Sequence, residues 1–194
     1  MADLVTTARA EMNPNIAGMD AAWLATLITV ASKAVENYCN REFTSQTVSN
    51  EIHDGDGEKD LFLRNFPVAS ITQVVITEND GDTVTITGTY FRINQRTGQI
   101  IFEPAETADY SYFPEGFQNI SVTYVAGYST IPEPVQEATV QLIAWLKSES
   151  DKDPNLKAEK LGDWSASYGG TTGTEGGLPQ SVRRLLGAYR SMSV

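Results

Sequence analysis

The chain is 194 residues long, with 41% hydrophobic and 20% charged residues and a net charge of −11. That length accommodates one domain with a good core, or a small domain carrying an insertion. The acidic balance excludes nucleic-acid binding through phosphate neutralisation, and no stretch approaches the ~20 apolar residues of a membrane span.

In chain order, residues 1–14 show weak patterning and are expected to be loosely held. The opening Met1-Ala-Asp-Leu-Val has no basic region followed by an apolar run, so no secretory signal is expected. A helix is predicted from Asp20, which serves as its N-cap, to near Asn40. Its apolar face is Trp23, Leu24, Leu27, Ile28, Ala31, Ala34, Val35 and Tyr38. Cys39, the only cysteine, sits on this helix as a buried inert thiol; it excludes an internal disulfide and fits a reducing compartment.

Residues 45–125 read as β structure. Strands are predicted at 47–52, 60–64, 71–77, 83–87, 90–93, 99–102 and 119–125, with turn signals at Asp54-Gly-Asp-Gly57, Asn79-Asp-Gly-Asp82 and Thr97-Gly98. In the last strand Ile120, Val122 and Tyr124 alternate with Ser121 and Thr123. Gly127 then permits a sharp turn, and Pro132 and Pro134 lead into a helix over residues 134–150 that buries Val135, Ala138, Leu142 and Leu146. Residues 151–178 are expected to form a flexible, polar, glycine-rich loop. A short helix over 179–189 presents Val182, Leu185, Leu186 and Tyr189. Helix, long β segment, helix, loop and helix together predict an α+β protein.

Charge is uneven along this order. Between Glu42 and Asp82 there are nine acids against the two bases Lys59 and Arg64, whereas the last stretch carries Arg183, Arg184 and Arg190 and no acid. A solvated acidic face accounts for the first; an acidic surface that repels polyanions, with a basic tail docking on a partner, is the sharper reading.

The sequence contains no recognisable catalytic or ligand-binding frame. His53 is the only histidine and lies beside a tight acidic turn with no nucleophile elbow, so it reads as structural or surface. The run Asp54 to Asp60 alternates carboxylates, but Lys59 stands where a calcium loop needs glycine and Asn65 where it needs glutamate, so a solvated hairpin turn is expected. The stretch Gly169 to Gly177 lacks the strand, the helix and the Gly-Lys-Ser/Thr ending of a phosphate loop. Tyr110, Tyr112, Phe113 and Phe117 are expected to cover one end of the β core, the other reading being a sugar or partner platform. No catalytic residue, metal or cofactor is expected.

Five pieces in order carry a likeness to a known family. They are Ala34-Val-Glu-Asn-Tyr-Cys-Asn-Arg-Glu-Phe43, Leu63-Arg-Asn-Phe-Pro-Val-Ala-Ser-Ile-Thr-Gln-Val74, Thr97-Gly-Gln-Ile-Ile-Phe102, the junction from Asn119 to Ala138, and Lys157-Ala-Glu-Lys-Leu-Gly-Asp-Trp-Ser-Ala-Ser-Tyr168 followed by Leu178 to Arg190. With them the chain resembles the head–tail connector (adaptor, or head-completion) proteins of tailed bacteriophages.

The resemblance implies a non-enzymatic virion subunit with a small bundle of three to four helices and a β-rich insert between the first two long helices. On that frame residues 1–44 and 126–194 form the helical connector unit, with a flexible loop at about 151–178, and residues 45–125 form the insert. The implied partners are the portal protein, neighbouring copies in a dodecameric ring, and a downstream neck or tail-completion protein. DNA would pass through without sequence-specific binding and no membrane is involved. The protein would reside in the virion neck, and in the host cytoplasm during assembly. Leu161, Trp164 and Tyr168 are candidate anchors between subunits, since aromatics dominate interface energetics; that Trp164 covers its own subunit's helices is the equal alternative. Arg183, Arg184 and Arg190 are candidates for meeting acidic portal surface, a solvated helix face being the other reading. A β-rich accessory or tail-associated module that recognises a surface ligand is the second functional class.

Overall fold

A computed structural model describes residues 3–78, 80–103, 110–151, 158–161, 164–167 and 177–191, with 158–161 and 164–167 described by their backbone alone. The fold is mixed α+β, with four α-helices and antiparallel sheets among the described residues. The chain divides into two compact units: residues 1–41 with 131–194, and residues 42–130.

In the first unit, α1 (Thr7–Glu11) precedes the long α2 (Ala21–Cys39). Asp20 caps α2 as the sequence predicts: its Oδ1 accepts from the N–H groups of Ala22 and Trp23, both at 3.0 Å. At the other end Asn40 takes the left-handed conformation, φ 50°, and stops the helix. α3 (Glu133–Ser150) begins just after Pro132 and carries Pro134 in its first turn, where a missing N–H has no consequence. α4 (Gln180–Leu186) continues into a 3-10 turn, Gly187–Tyr189. α2 packs on α3, α3 on α4, and α1 on both α2 and α3. Leu24, Ile28, Val35, Val135, Ala138, Leu142, Ile143, Val182 and Leu186 are buried. Each large aliphatic side chain taken out of water contributes about 1.5–3 kcal/mol before entropy is counted.

Three expectations for this unit are corrected. Of the stretch 1–14 expected to be loose, residues 3–14 are held: Thr6 caps α1, Leu4, Val5 and Ala10 are buried, and the Leu4 N–H donates to Ser32 Oγ at 3.0 Å. Five helical residues are too few to show periodicity. Trp23, assigned to the apolar face of α2, is 38% exposed, because the buried stripe runs Leu24, Ile28, Ala31, Val35, Cys39. The expected loop 151–178 contains an antiparallel pair, β8 (Ala158–Leu161) with β9 (Trp164–Ser167), in the register Leu161↔Trp164. Gly162-Asp163 between them is a two-residue hairpin signal.

The second unit holds two sheets. One has the order β1-β7-β3-β4, built from β1 (Gln46–Gly55), β7 (Gly116–Ala126), β3 (Val68–Thr77) and β4 (Thr83–Thr87). The other has the order β2-β6-β5, built from β2 (Asp60–Phe62), β6 (Gln99–Phe102) and β5 (Phe91–Asn94). All strand pairings within these two sheets are antiparallel. Alternation in β7 turns Ile120, Val122, Tyr124 and Ala126 inward, where they join Val74, Ile76, Ile100 and Phe102 in one core spanning both sheets.

The turns after β3 and β5 close hairpins, as their Asn/Asp/Gly signals predict. The acidic turn after β1 does not, because β1 and β2 lie in different sheets. Its backbone is used elsewhere: Gly57 N–H donates to the Phe113 carbonyl at 3.0 Å and Phe113 N–H to the Glu58 carbonyl at 2.8 Å. Of the aromatics placed over the core end, Phe113 is fully buried against Phe91 and Phe102, while Tyr112 and Phe117 are exposed, Phe117 by 81%.

Candidate functional site

The basic C-terminal stretch spans two elements. Arg183 and Arg184 fall in the last turn of α4, where cations complement the helix dipole. Arg183 is half-buried and Arg184 exposed. Arg190 lies beyond the 3-10 turn, with its guanidinium 5.4 Å from the centroid of the Tyr38 ring. The same segment is pinned by Ser191 N–H, which donates to the Cys39 carbonyl at 2.8 Å, and by Arg41, which donates to the Tyr189 carbonyl at 3.4 Å. Cys39 beneath it is buried; burial pushes its thiol up to about 11, with Arg41 and Arg190 pulling weakly the other way, so it is inert as expected. Arg184 and Arg190 are both exposed, Arg190 with the Tyr38 ring beside it. The Leu161 and Trp164 backbones face each other across the β8–β9 pair, and Tyr168 lies outside the described residues.

The acidic turn uses its carboxylates to hold backbone. Asp54 Oδ1 accepts from Gln118 N–H at 2.6 Å, and Asp56 Oδ1 from Glu58 N–H at 3.0 Å. Among the described residues no group of three or more His, Cys, Asp or Glu side chains could hold a metal ion. A surface cavity of about 370 Å³ is lined by Thr77, Glu78, Asp80, Tyr110, Pro114, Glu115 and Asn119. Its carboxylates would repel an anion, and Tyr110 already donates to Glu78. No nucleophile–base pair is present there.

The most elaborate polar cluster centres on Glu51, which the sequence did not single out. Its Oε1 lies 2.7 Å from His53 Nε2 and accepts from Arg64 N–H at 2.9 Å. Its Oε2 accepts from the Tyr124 hydroxyl at 2.6 Å and from Asn65 Nδ2 at 3.3 Å. Burial opposes ionisation of Glu51, but the bonds from His53, Tyr124 and Arg64 outweigh it and bring its pKa down to about 2. Burial and the adjacent carboxylate raise that of Tyr124. With the carboxylate ionised, His53 Nε2 carries the proton. Every lone pair is engaged within the unit, so the cluster fastens β1, β7 and the segment after β2 and exposes nothing to a substrate. His53 is structural.

No described helix is long and apolar enough to cross a membrane. The family model for head completion proteins matches residues 11–192. No curated protein matches the chain. Among solved structures, the chain is similar to a chain from the neck of an empty gene transfer agent particle computed with C6 symmetry, at 18% identity and a TM-score of 0.56, covering 100% of this chain and 97% of that one. It is also similar to a chain from the neck of the native particle computed with C12 symmetry, at 16% identity and a TM-score of 0.53, covering 100% and 96%. At these identities the likeness is one of fold.

Proposed function

Because this chain belongs to the head completion protein family, we propose that it is a head–tail connector subunit that docks on the portal as a ring and links capsid to tail around the DNA channel. Membership makes it a structural virion component rather than an enzyme. The observation that supports the finer reading is the end-to-end likeness of fold to chains of particle necks computed with C6 and with C12 symmetry. A dodecamer is the copy number we favour, with the virion neck as its location and a downstream neck or tail-completion protein as its further partner.

In this reading the helical connector unit is residues 1–44 with 126–194, and the β domain of residues 45–125 is an insert between the two long helices. The net charge of −11 suits a channel wall that must not grip DNA. Leu161, Trp164 and Tyr168 would anchor neighbouring subunits. Arg184, with Arg183 and Arg190 around it, would meet acidic portal surface.

Mixing the protein with purified portal complexes and imaging by negative stain tests this. Rings stacked coaxially on the portal are expected. No association, together with affinity for a glycan or receptor, would overturn it.

A further inference from the structure

β1 stands at the edge of its sheet, first in the order β1-β7-β3-β4, and its 10 residues make it about twice the usual strand length. An edge of that length offers a row of N–H and C=O groups on which another chain can add a strand. Two features interrupt the row. Between Val48 and Glu51 the strand carries one residue more than β7, which leaves Ser49 and Asn50 opposite Thr123 alone. Asn50 takes the left-handed conformation there, φ 55°. Its N–H donates to Thr123 Oγ1 at 3.3 Å, and its Oδ1 accepts from the same hydroxyl at 3.4 Å. Two positions on, the Ile52 carbonyl points away from β7 and accepts from the Arg64 guanidinium at 3.2 Å. The core does not require the bulge. With one residue fewer, Val48 and Glu51 would be two apart and would still both face inward, as they do now. The undescribed residues of this unit, 79 and 104–109, adjoin Glu78, Glu103 and Tyr110, on the β3 side of the sheet rather than at β1.

We propose that β1 is a guarded edge: the bulge at Asn50 and the Arg64 guanidinium on the Ile52 carbonyl bar a second copy of this chain from adding its own β1 there. The bulge bends the strand and breaks the spacing that an incoming ladder must match. Arg64 occupies the next outward acceptor and sets a charge where a neighbouring backbone would have to lie. Without these guards the exposed residues of β1 would favour pairing, since Thr47 and Ile52 are β-branched and Ile52 is 47% exposed. A contact of β1 with β1 is isologous, so it yields a two-fold dimer. On the ring reading above, such a dimer is a dead end, because a ring needs head-to-tail contacts. The guard itself acts on any two copies that meet, in a ring or not.

Deleting Asn50 and substituting Arg64→Ala in the full chain removes both guards, and Ser49 then stands alone opposite Thr123. The Ile52 amide reads the edge, because the N–H and C=O of one strand residue point to the same side. The expected variant keeps the wild-type far-UV spectrum and associates beyond the wild type, toward twice the 21.2 kDa monomer. Its Ile52 amide should exchange about tenfold more slowly in concentrated than in dilute protein. A folded variant that matches the wild type in mass and in Ile52 exchange overturns the proposal. The wild type supplies a second reading that stands even if the variant does not fold. Its Ile52 amide should exchange at one rate in dilute protein, in concentrated protein and in assembled particles. Slowing by about tenfold on concentration or assembly would show a strand added at β1 and overturn the proposal. Particles that lack the protein would overturn the neck reading alone, while the solution rates still decide the edge.

Discussion

The Tyr124 hydroxyl donates to Glu51 Oε2 across 2.6 Å, joining β7 to β1 inside the β unit. Tyr124 is fully buried and Glu51 8% exposed, so neither group has water to fall back on. The same phenol oxygen accepts from Asn65 N–H at 3.2 Å. Hydrogen bonds to a charged partner contribute about 1.5–3 kcal/mol. Tyr124→Phe should therefore lower the unfolding free energy of the β unit by about 2 kcal/mol, read from urea titration. An unchanged midpoint would contradict the central place given to this bond.

Glu51 sets the response to acid. Its folded pKa of about 2 lies below the ordinary 4.5, so its contribution is fully present above that ordinary value and disappears as pH falls toward 2. The difference corresponds to on the order of 3 kcal/mol. Stability measured from pH 6 down to pH 3 should fall more steeply in the wild type than in Glu51→Gln, which starts lower and has no such dependence. Parallel curves would show that the carboxylate is not held ionised.

Gly127 sits at φ 101°, and a Cβ there would lie 2.2 Å from the Thr44 carbonyl oxygen, a backbone atom that cannot swing aside. Gly127→Ala should cost about 2 kcal/mol or more in the β unit, combining left-handed strain with a backbone clash. Gly81→Ala, also at positive φ but with open space around it, should show only the strain. Equal effects in the two variants, followed by thermal melts, would remove the packing argument.

Most strands were legible because β-branched alternation and Asn/Asp/Gly turns are local signals, and α2 was legible from the Asp20 cap and its apolar spacing. What escaped depended on distance in the chain. The Glu51 cluster draws on His53, Arg64, Asn65 and Tyr124, and no pattern in sequence joins position 51 to 124. Sheet assignment failed at the acidic turn for the same reason: Gly57 finds its backbone partner at Phe113. Trp23 illustrates another limit. Hydrophobic spacing marks Trp23 and Leu24 alike, and only packing decides that Leu24 is the one buried. The three C-terminal arginines looked equivalent, yet Arg183 is half-buried and Arg190, though exposed, lies against the Tyr38 ring.

That difference predicts how portal association should respond to charge. Arg184→Glu should weaken binding to portal complexes at least tenfold at low salt, and the wild type should weaken as ionic strength rises, since the Debye length is only about 10 Å at 0.1 M. Arg190→Ala should in addition lower the stability of the helical unit by about 0.5–1 kcal/mol through loss of the Tyr38 contact. Salt-independent binding, measured by co-sedimentation, would exclude the arginines from the interface.

The most direct measurement is a cryo-electron reconstruction of the neck of particles that carry this protein, without imposed symmetry. A closed ring of this chain, twelve copies around the channel and seated on the portal, is the expected result. Density for the chain elsewhere in the virion, or single copies that close no ring, would contradict the connector reading.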